Sequence, residues 1–152
     1  MKEFELTVIR LQESGVIAAD ADTAWQVLRD FTSAARWAGE IVSCVMEGGA
    51  GVSEVGAIRR MTFDTGAVAR ERLLALSDRE RFFEYELLPP EELPFEGYLG
   101  KMQVLPLSGG RSVVIWSSSL TATGGNPGEA GQFLSRAYQA GIAALGVHLS
   151  RD

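Results

Sequence analysis

A single cysteine, Cys44, and a single histidine, His148, occur in 152 residues. One thiol closes no internal disulfide, and a reducing compartment suits it. One Cys and one His are too few for a zinc site within one chain, so no metal is expected. His148 alone supports neither a Ser-His-Asp nor a Cys-His arrangement, and near the end of the last helix a structural role suffices. No cofactor is expected. Basic charge is also scarce, with 14 Lys and Arg against 20 Asp and Glu. Arg59-Arg60 and Arg70-Arg72 stand among apolar or acidic residues instead of forming a patch, which argues against a nucleic-acid partner. No stretch approaches the roughly 20 apolar residues of a membrane span. The N-terminal MKEFELTVIRLQES alternates and carries charge, unlike a secretory signal, so a cytoplasmic location is expected. The glycine runs EGGAGVSEVG and TGGNPG lack a Lys-Ser/Thr tail and read as loops.

What remains is the composition of a globular protein: 46% hydrophobic and 22% charged residues. Its length suits one domain, residues 1–152. Residues 3 to 18 alternate as a long strand, bent or bulged at Gly15. Asp20 or Asp22 offers an N-cap, and Trp25, Leu28 and Phe31 follow at helical spacing. Ser33 to Trp37 adds a second helical turn. Strands follow: IVSCVMEGG, then GAIRRMTF and VARERLLALSD joined at DTGA, then RFFEYELL with Phe83, Tyr85 and Leu87 on one face. PPEELPF reads as a loop. FEGYLGKMQVLPL and RSVVIWSSSLTAT, joined at SGG, complete an antiparallel meander.

The last segment changes period. Asn126 caps, Pro127 suits the first helical position, and Glu129 stands where a capping-box carboxylate would. Leu134, Tyr138, Ile142 (or Gly141), Leu145 and Leu149 form one apolar stripe. A helix over 127–149 is roughly 34 Å long at 1.5 Å per residue. One long helix must cover the inner face of one curved sheet. Ala137, Ala140, Gly141 and Ala144 keep parts of its surface low, which fits either a gap beneath it or close packing without one.

These pieces in this order resemble the START-related ligand-binding superfamily (SRPBCC, polyketide cyclase/dehydrase-like). The similarity runs from about Val16 to Leu149 through AADADTAWQVLRDF, RWAGEIVSC, GAIRRM, ERLLALSD, the YELL strand, Tyr98, VVIWSSSL and AYQAGIAAL. The resemblance implies the α+β helix-grip fold: a curved antiparallel β-sheet wrapped around a long C-terminal helix, with two short helices after strand 1. It also implies a hydrophobic cavity between helix and sheet, opened and closed by two loops. IVSC, the ERL triplet and the tryptophan of VVIW are similar to the plant abscisic acid receptor branch. That likeness implies that Glu71 and Tyr98 face the cavity, with Phe133, Ala137 and Gly141 meeting it from the helix. Val42 stands where those receptors carry a lysine for the ligand's carboxylate. DTGA is shorter than their gate loop, and PEELPF lacks their latch. Abscisic acid and phosphatase docking are therefore not expected.

Arg59 and Glu71 are the sharpest candidates. Facing inward, they form an internal ion pair that presents donors and acceptors to a ligand; at the sheet's open end, they form only a solvated bridge. Tyr85 and Tyr98 each combine an apolar face with a hydroxyl, and either core or site suits them. Tyr98 follows the PPEELPF loop, at the expected mouth. Trp37 is wall, lid or plain packing, while Trp25 and Trp116 read as core or outer face. Ser117, Ser119 and Thr121 share one parity and, facing inward, would make a wet pocket wall. Met61 and Leu87 complete the expected lining with Ser119, Thr121, Phe133, Ala137 and Gly141. The expected function is binding of a small hydrophobic molecule, polyketide-, lipid-, isoprenoid- or quinone-like. The alternative is a polyketide-type aromatase/cyclase or dehydratase, with Glu71 as acid/base and Arg59 and Tyr98 polarising a carbonyl. Homodimerisation through the outer surface is left open.

Overall fold

The computed structural model describes residues 7–89 and 95–150. Seven antiparallel strands form one curved sheet: β1 (Thr7–Ile17), β2 (Ile41–Met46), β3 (Ile58–Phe63), β4 (Val68–Ser77), β5 (Phe82–Leu87), β6 (Phe95–Leu107) and β7 (Arg111–Ala122). Their spatial order is β1-β7-β6-β5-β4-β3-β2, so the chain's first two strands are the sheet's two edges. The connection between them crosses the full width of the sheet and carries α1 (Ala21–Leu28) and α2 (Ala34–Trp37). α3 (Pro127–Leu149) closes the fold and packs chiefly along β1, with further contacts to β7 and α2. This is the α+β helix-grip architecture. No helix among the described residues is long and apolar enough to cross a membrane.

Local chemistry sets these elements. Asp20 caps α1, its carboxylate accepting from the Thr23 amide at 2.8 Å. Asn126 caps α3 by accepting from Gly128 N, with Pro127 in the first turn. Tyr138, Ile142 and Leu145 of the predicted stripe are buried. α1 stops at Leu28, short of Phe31, which packs from the following turn and is 1% exposed. The start of strand 1 at residue 3 and the core of PPEELPF, residues 90–94, lie outside the described residues.

No bulge interrupts β1 at Gly15. The β1–β7 register runs unbroken from Thr7↔Ala122 to Ile17↔Ser112. A Cβ at Gly15 would stand 2.8 Å from Ile142 Cγ2, so the missing side chain lets α3 settle onto the strand. The bulge lies in β6 instead, where the register shifts between Glu96 and Leu99 and Gly97 takes φ +64°. One extra residue reverses parity, so Phe95 and Tyr98, three apart, both reach the interior.

Gly100 plays a third part. It pairs directly with Tyr85 across β5–β6, and a Cβ there would collide with the Tyr85 ring. The ring lies flat over the neighbouring strand because that strand has no side chain at this point. Gly100→Ala is expected to destabilise by about 1–3 kcal/mol, the usual range for overpacking. In a Tyr85→Leu background most of that cost should vanish in denaturant unfolding; an equal cost in both backgrounds would contradict this account.

Candidate functional site

α3 covers the β1 side of the inner face and α1–α2 cover one end, which leaves the inner surface of β3–β6 partly unfilled. The space is a cavity of about 560 Å³. β3 contributes Arg59, Met61 and Phe63; β4 contributes Ala69 and Glu71; β5 contributes Phe83, Tyr85 and Leu87. Phe95, Tyr98, Met102 and Trp116 enter from β6 and β7, and α3 supplies Phe133, Leu134, Ala137, Tyr138 and Gly141. Trp37 forms a wall from α2. Its mouth lies between the β3–β4 turn, the α2–β2 turn and α3, where Asp64, Thr65, Glu40 and Phe133 are exposed. The Asp64 amide donates to Glu40 O at 2.8 Å and ties the two turns together.

Arg59 and Glu71 face each other across β3–β4 and are each 7% exposed. Arg59 Nε and Nη2 both donate to Glu71 Oε1, at 3.0 and 2.7 Å. Nη1 donates to the Phe31 carbonyl at 2.9 Å, and the guanidinium lies 3.9 Å above the centre of the Phe31 ring. The open-end reading of this pair is therefore replaced by a buried one. Glu71 Oε2 receives no hydrogen bond from any described residue. No fully buried side-chain oxygen lacks a partner among those residues, so Oε2 touches open space, and the space Glu71 borders is the cavity. Burial raises the Glu71 carboxyl above its ordinary value, outweighing the charge and hydrogen bonds of Arg59. The other charges of the strand stay outside, where Arg70 binds Glu47 and Arg72 binds Glu86.

All three tyrosines of the chain meet beside this pair. Trp116 Nε1 donates to Tyr85 Oη at 3.0 Å; Tyr85 and Tyr98 hydroxyls are 3.0 Å apart; Tyr98 and Tyr138 hydroxyls are in contact; and Tyr138 donates to Ser118 Oγ at 2.8 Å. An indole N–H can only donate, and the far end accepts. The row therefore runs one way, each phenol accepting from one neighbour and donating to the next. Burial raises all three phenols, with Glu71's negative charge adding to Tyr85; Tyr138 is pushed up to about 12. Trp116 stacks on Tyr138 with ring centres 4.3 Å apart, and a Cβ on Gly141 would come within 2.7 Å of its ring.

Ten of the twelve expected ligand contacts line the cavity: Trp37, Arg59, Met61, Glu71, Tyr85, Leu87, Tyr98, Phe133, Ala137 and Gly141. Tyr98 lies in the interior, 6% exposed, not at the mouth. Ser119 and Thr121 do not belong. Ser119 pairs with Arg10 and Leu99, and Thr121 with Val8 and Glu96, all exposed residues of the outer face. Ser117 shares that face, and the inward serine is Ser118, 8% exposed. Val114 and Leu120, both buried, set this parity, which a row of three hydroxyls obscured. Trp116, read as core or outer face, is a cavity residue. Tyr138 was legible only as packing. Among the described residues no three His, Cys, Asp or Glu side chains cluster as a metal site.

Removing one member of a buried ion pair strands the other, at about 3–5 kcal/mol. Arg59→Met should lose stability of that order, and Arg59→Met/Glu71→Leu should recover most of it in chemical unfolding; a double variant no better than the single would refute the pairing. The phenols give a second test. Their folded-state values lie above the ordinary value of 10.0, so the stability they contribute is whole below pH 10 and falls as pH rises beyond it. Phenolate absorbance should stay absent around pH 10 and rise only near pH 12 or with unfolding. Any tyrosine titrating normally in the folded protein would contradict the row.

Residues 8–149 match the sequence family described as polyketide cyclase/dehydrase and lipid transport. No curated protein matches the chain in sequence. The protein XoxI from Bacillus cereus is 25% identical over 93% of this chain and 96% of its own, with a TM-score of 0.83. The Zhui aromatase/cyclase from Streptomyces sp. R1128 is 20% identical over 95% of each chain, with a TM-score of 0.73. Truncated norcoclaurine synthase from Thalictrum flavum is 16% identical, covering 100% of this chain and 99% of its own, with a TM-score of 0.74. At those two lower identities the likeness is one of fold.

Proposed function

This chain belongs to the polyketide cyclase/dehydrase and lipid transport family, and on that footing we propose that it binds a small, largely apolar molecule between α3 and the sheet. The observation that carries the reading is the cavity of about 560 Å³, with largely apolar walls and one carboxylate oxygen that has no partner among the described residues. Apolar contact supplies affinity at roughly 25 cal/mol per Å² removed from water. Glu71 and Arg59 supply orientation, because their side chains are already fixed by each other and by Phe31 O before any ligand enters. Few rotamers are left to freeze on binding. Polyketides, isoprenoids, quinones and lipids with one or two polar groups fit this description.

A second reading, an aromatase/cyclase or dehydratase, is favoured by one feature, the Glu71 carboxyl, which burial raises in the direction that suits a general acid. Against it, the Tyr98 hydroxyl is held on both sides by Tyr85 and Tyr138, which leaves it no proton to offer a carbonyl in the row's direction. Binding is the better-supported reading. Turnover of a model poly-ketone that disappears in Glu71→Gln would favour catalysis instead.

The cavity itself is tested by filling it from opposite walls. An apolar fluorescent hydrocarbon such as pyrene should bind the protein at one site. Ala137→Trp on α3 and Leu87→Trp on β5 should each weaken that binding by about tenfold or more, equivalent to about 1.4 kcal/mol. Unchanged affinity in both variants would remove the cavity as the site.

A further inference from the structure

An open sheet leaves a row of backbone donors and acceptors along each edge strand, and proteins blunt such edges with charge, proline, bulges or brevity. β2 is blunted. It runs for six residues, its register shifts between Ile41 and Ser43, and Glu40 and Glu47 flank it. A second copy laid antiparallel along Ile41–Met46 would set those two carboxylates against each other. β1 is long and regular. Its 11 residues contain no proline and keep one register against β7. Among the described residues its backbone groups bond to no other element. We infer that β1 is an interface, and that a second copy of this chain pairs with it antiparallel about a two-fold axis at Gln12, joining two seven-stranded sheets into one.

α3 lies beside this edge without closing it. Two grooves, of about 510 and 430 Å³, open between β1 and the flank of the helix. Gly131, Gln132 and Ser135 form the helical wall of one, and Gln139, Ala143 and Gly146 that of the other. In a chain with 14 basic and 20 acidic side chains, Arg10 is the one charged residue lining either groove among the described residues. The helix therefore presents short, neutral side chains to an incoming strand. No acidic group stands there to repel a subunit of the same negative charge.

The strand's own sequence selects a second copy as the occupant. A two-fold axis normal to the sheet keeps outer face beside outer face, so it must pass beside a residue and not between two. At Gln12, the centre of Thr7–Ile17, all 11 residues pair. Val8 then faces Val16 of the partner subunit, and these outward valines, 55% and 58% exposed, cover one another twice. Arg10 meets Ser14 of the partner subunit and Glu13 meets Leu11 of the partner subunit, so no like charges stand opposite. The seam is about 36 Å long at roughly 3.3 Å per residue, and main-chain hydrogen bonds supply most of its strength.

Sedimentation velocity of the full chain between about 1 μM and 1 mM should show a reversible monomer–dimer equilibrium. As the dimer fills, amide hydrogen exchange should slow at alternate residues within 7–17 and stay unchanged in β2. Position 14 reads the register, because the pairing sets it against Arg10. Ser14→Glu should tighten the dimer about threefold or more, and Ser14→Arg should weaken it by a similar factor, since two contacts change per dimer. Net charge alone gives the reverse order: the chain stands at −6, and an added arginine lowers the repulsion between copies. Ser14 is exposed, so both variants should fold. If one does not, the exchange pattern of the unaltered protein still decides. A chain monomeric throughout, a dimer that leaves the β1 amides unprotected, or a dimer strengthened by Ser14→Arg would overturn the inference.

Discussion

The interior of this protein depends on one ion pair held away from water. Arg59 and Glu71 are neighbours across β3–β4, and a guanidinium in that position is tolerable because its charge is matched and three of its five N–H groups are bonded. Glu71 takes its charge, the Phe31 carbonyl takes a third N–H, and the Phe31 ring lies beneath its face. The Phe31 amide is itself bonded to Val52 O at 2.7 Å, so the turn after α1 is anchored to the loop before β3. Sheet, loop and helical crossover therefore converge on one charged group. Its partner carboxylate, in turn, is the point at which the cavity acquires polarity.

Around that pair the fold relies on what glycine omits. Gly15, Gly100 and Gly141 lie in different elements, and each removes a Cβ where a large side chain must pass: Ile142, Tyr85 and Trp116. The first seats α3, the second lays a phenol across the sheet, and the third brings Trp116 under the helix. Two of the three serve the tyrosine row directly. Close packing on the β1 side, where Gly15 meets Ile142 and Gly146 meets Ile17, thus coexists with open volume on the β4 side beneath one helix.

Periodicity made most of the architecture readable. Alternation placed Phe83, Tyr85 and Leu87 inward, and the i, i+4 stripe located the buried face of α3. The inward setting of Glu71 came from likeness to a family, since alternation alone places a strand residue on a face without saying which face is covered. The misreadings share one physical origin: each depends on a partner distant in the chain. Ser119 and Thr121 were set inward by likeness to the family, whereas Val114, Ser118 and Leu120 on the opposite parity carry the burial. The β6 bulge that brings Phe95 inside announces itself only as Gly97, one of 17 glycines. Nothing in the local pattern of Tyr138 indicates that its hydroxyl meets those of Tyr98 on β6 and Ser118 on β7.

Gly141 and Glu71 stand on opposite sides of the same hollow, and they govern different properties of it. Side-chain bulk at position 141 would press on Trp116 and Trp37 and reduce the room available, while the hydrogen-bonding wall on β3 and β4 would stay as it is. One helical position could therefore change the girth of the hollow while its polar wall keeps its composition, so that width and polarity are set by separate elements.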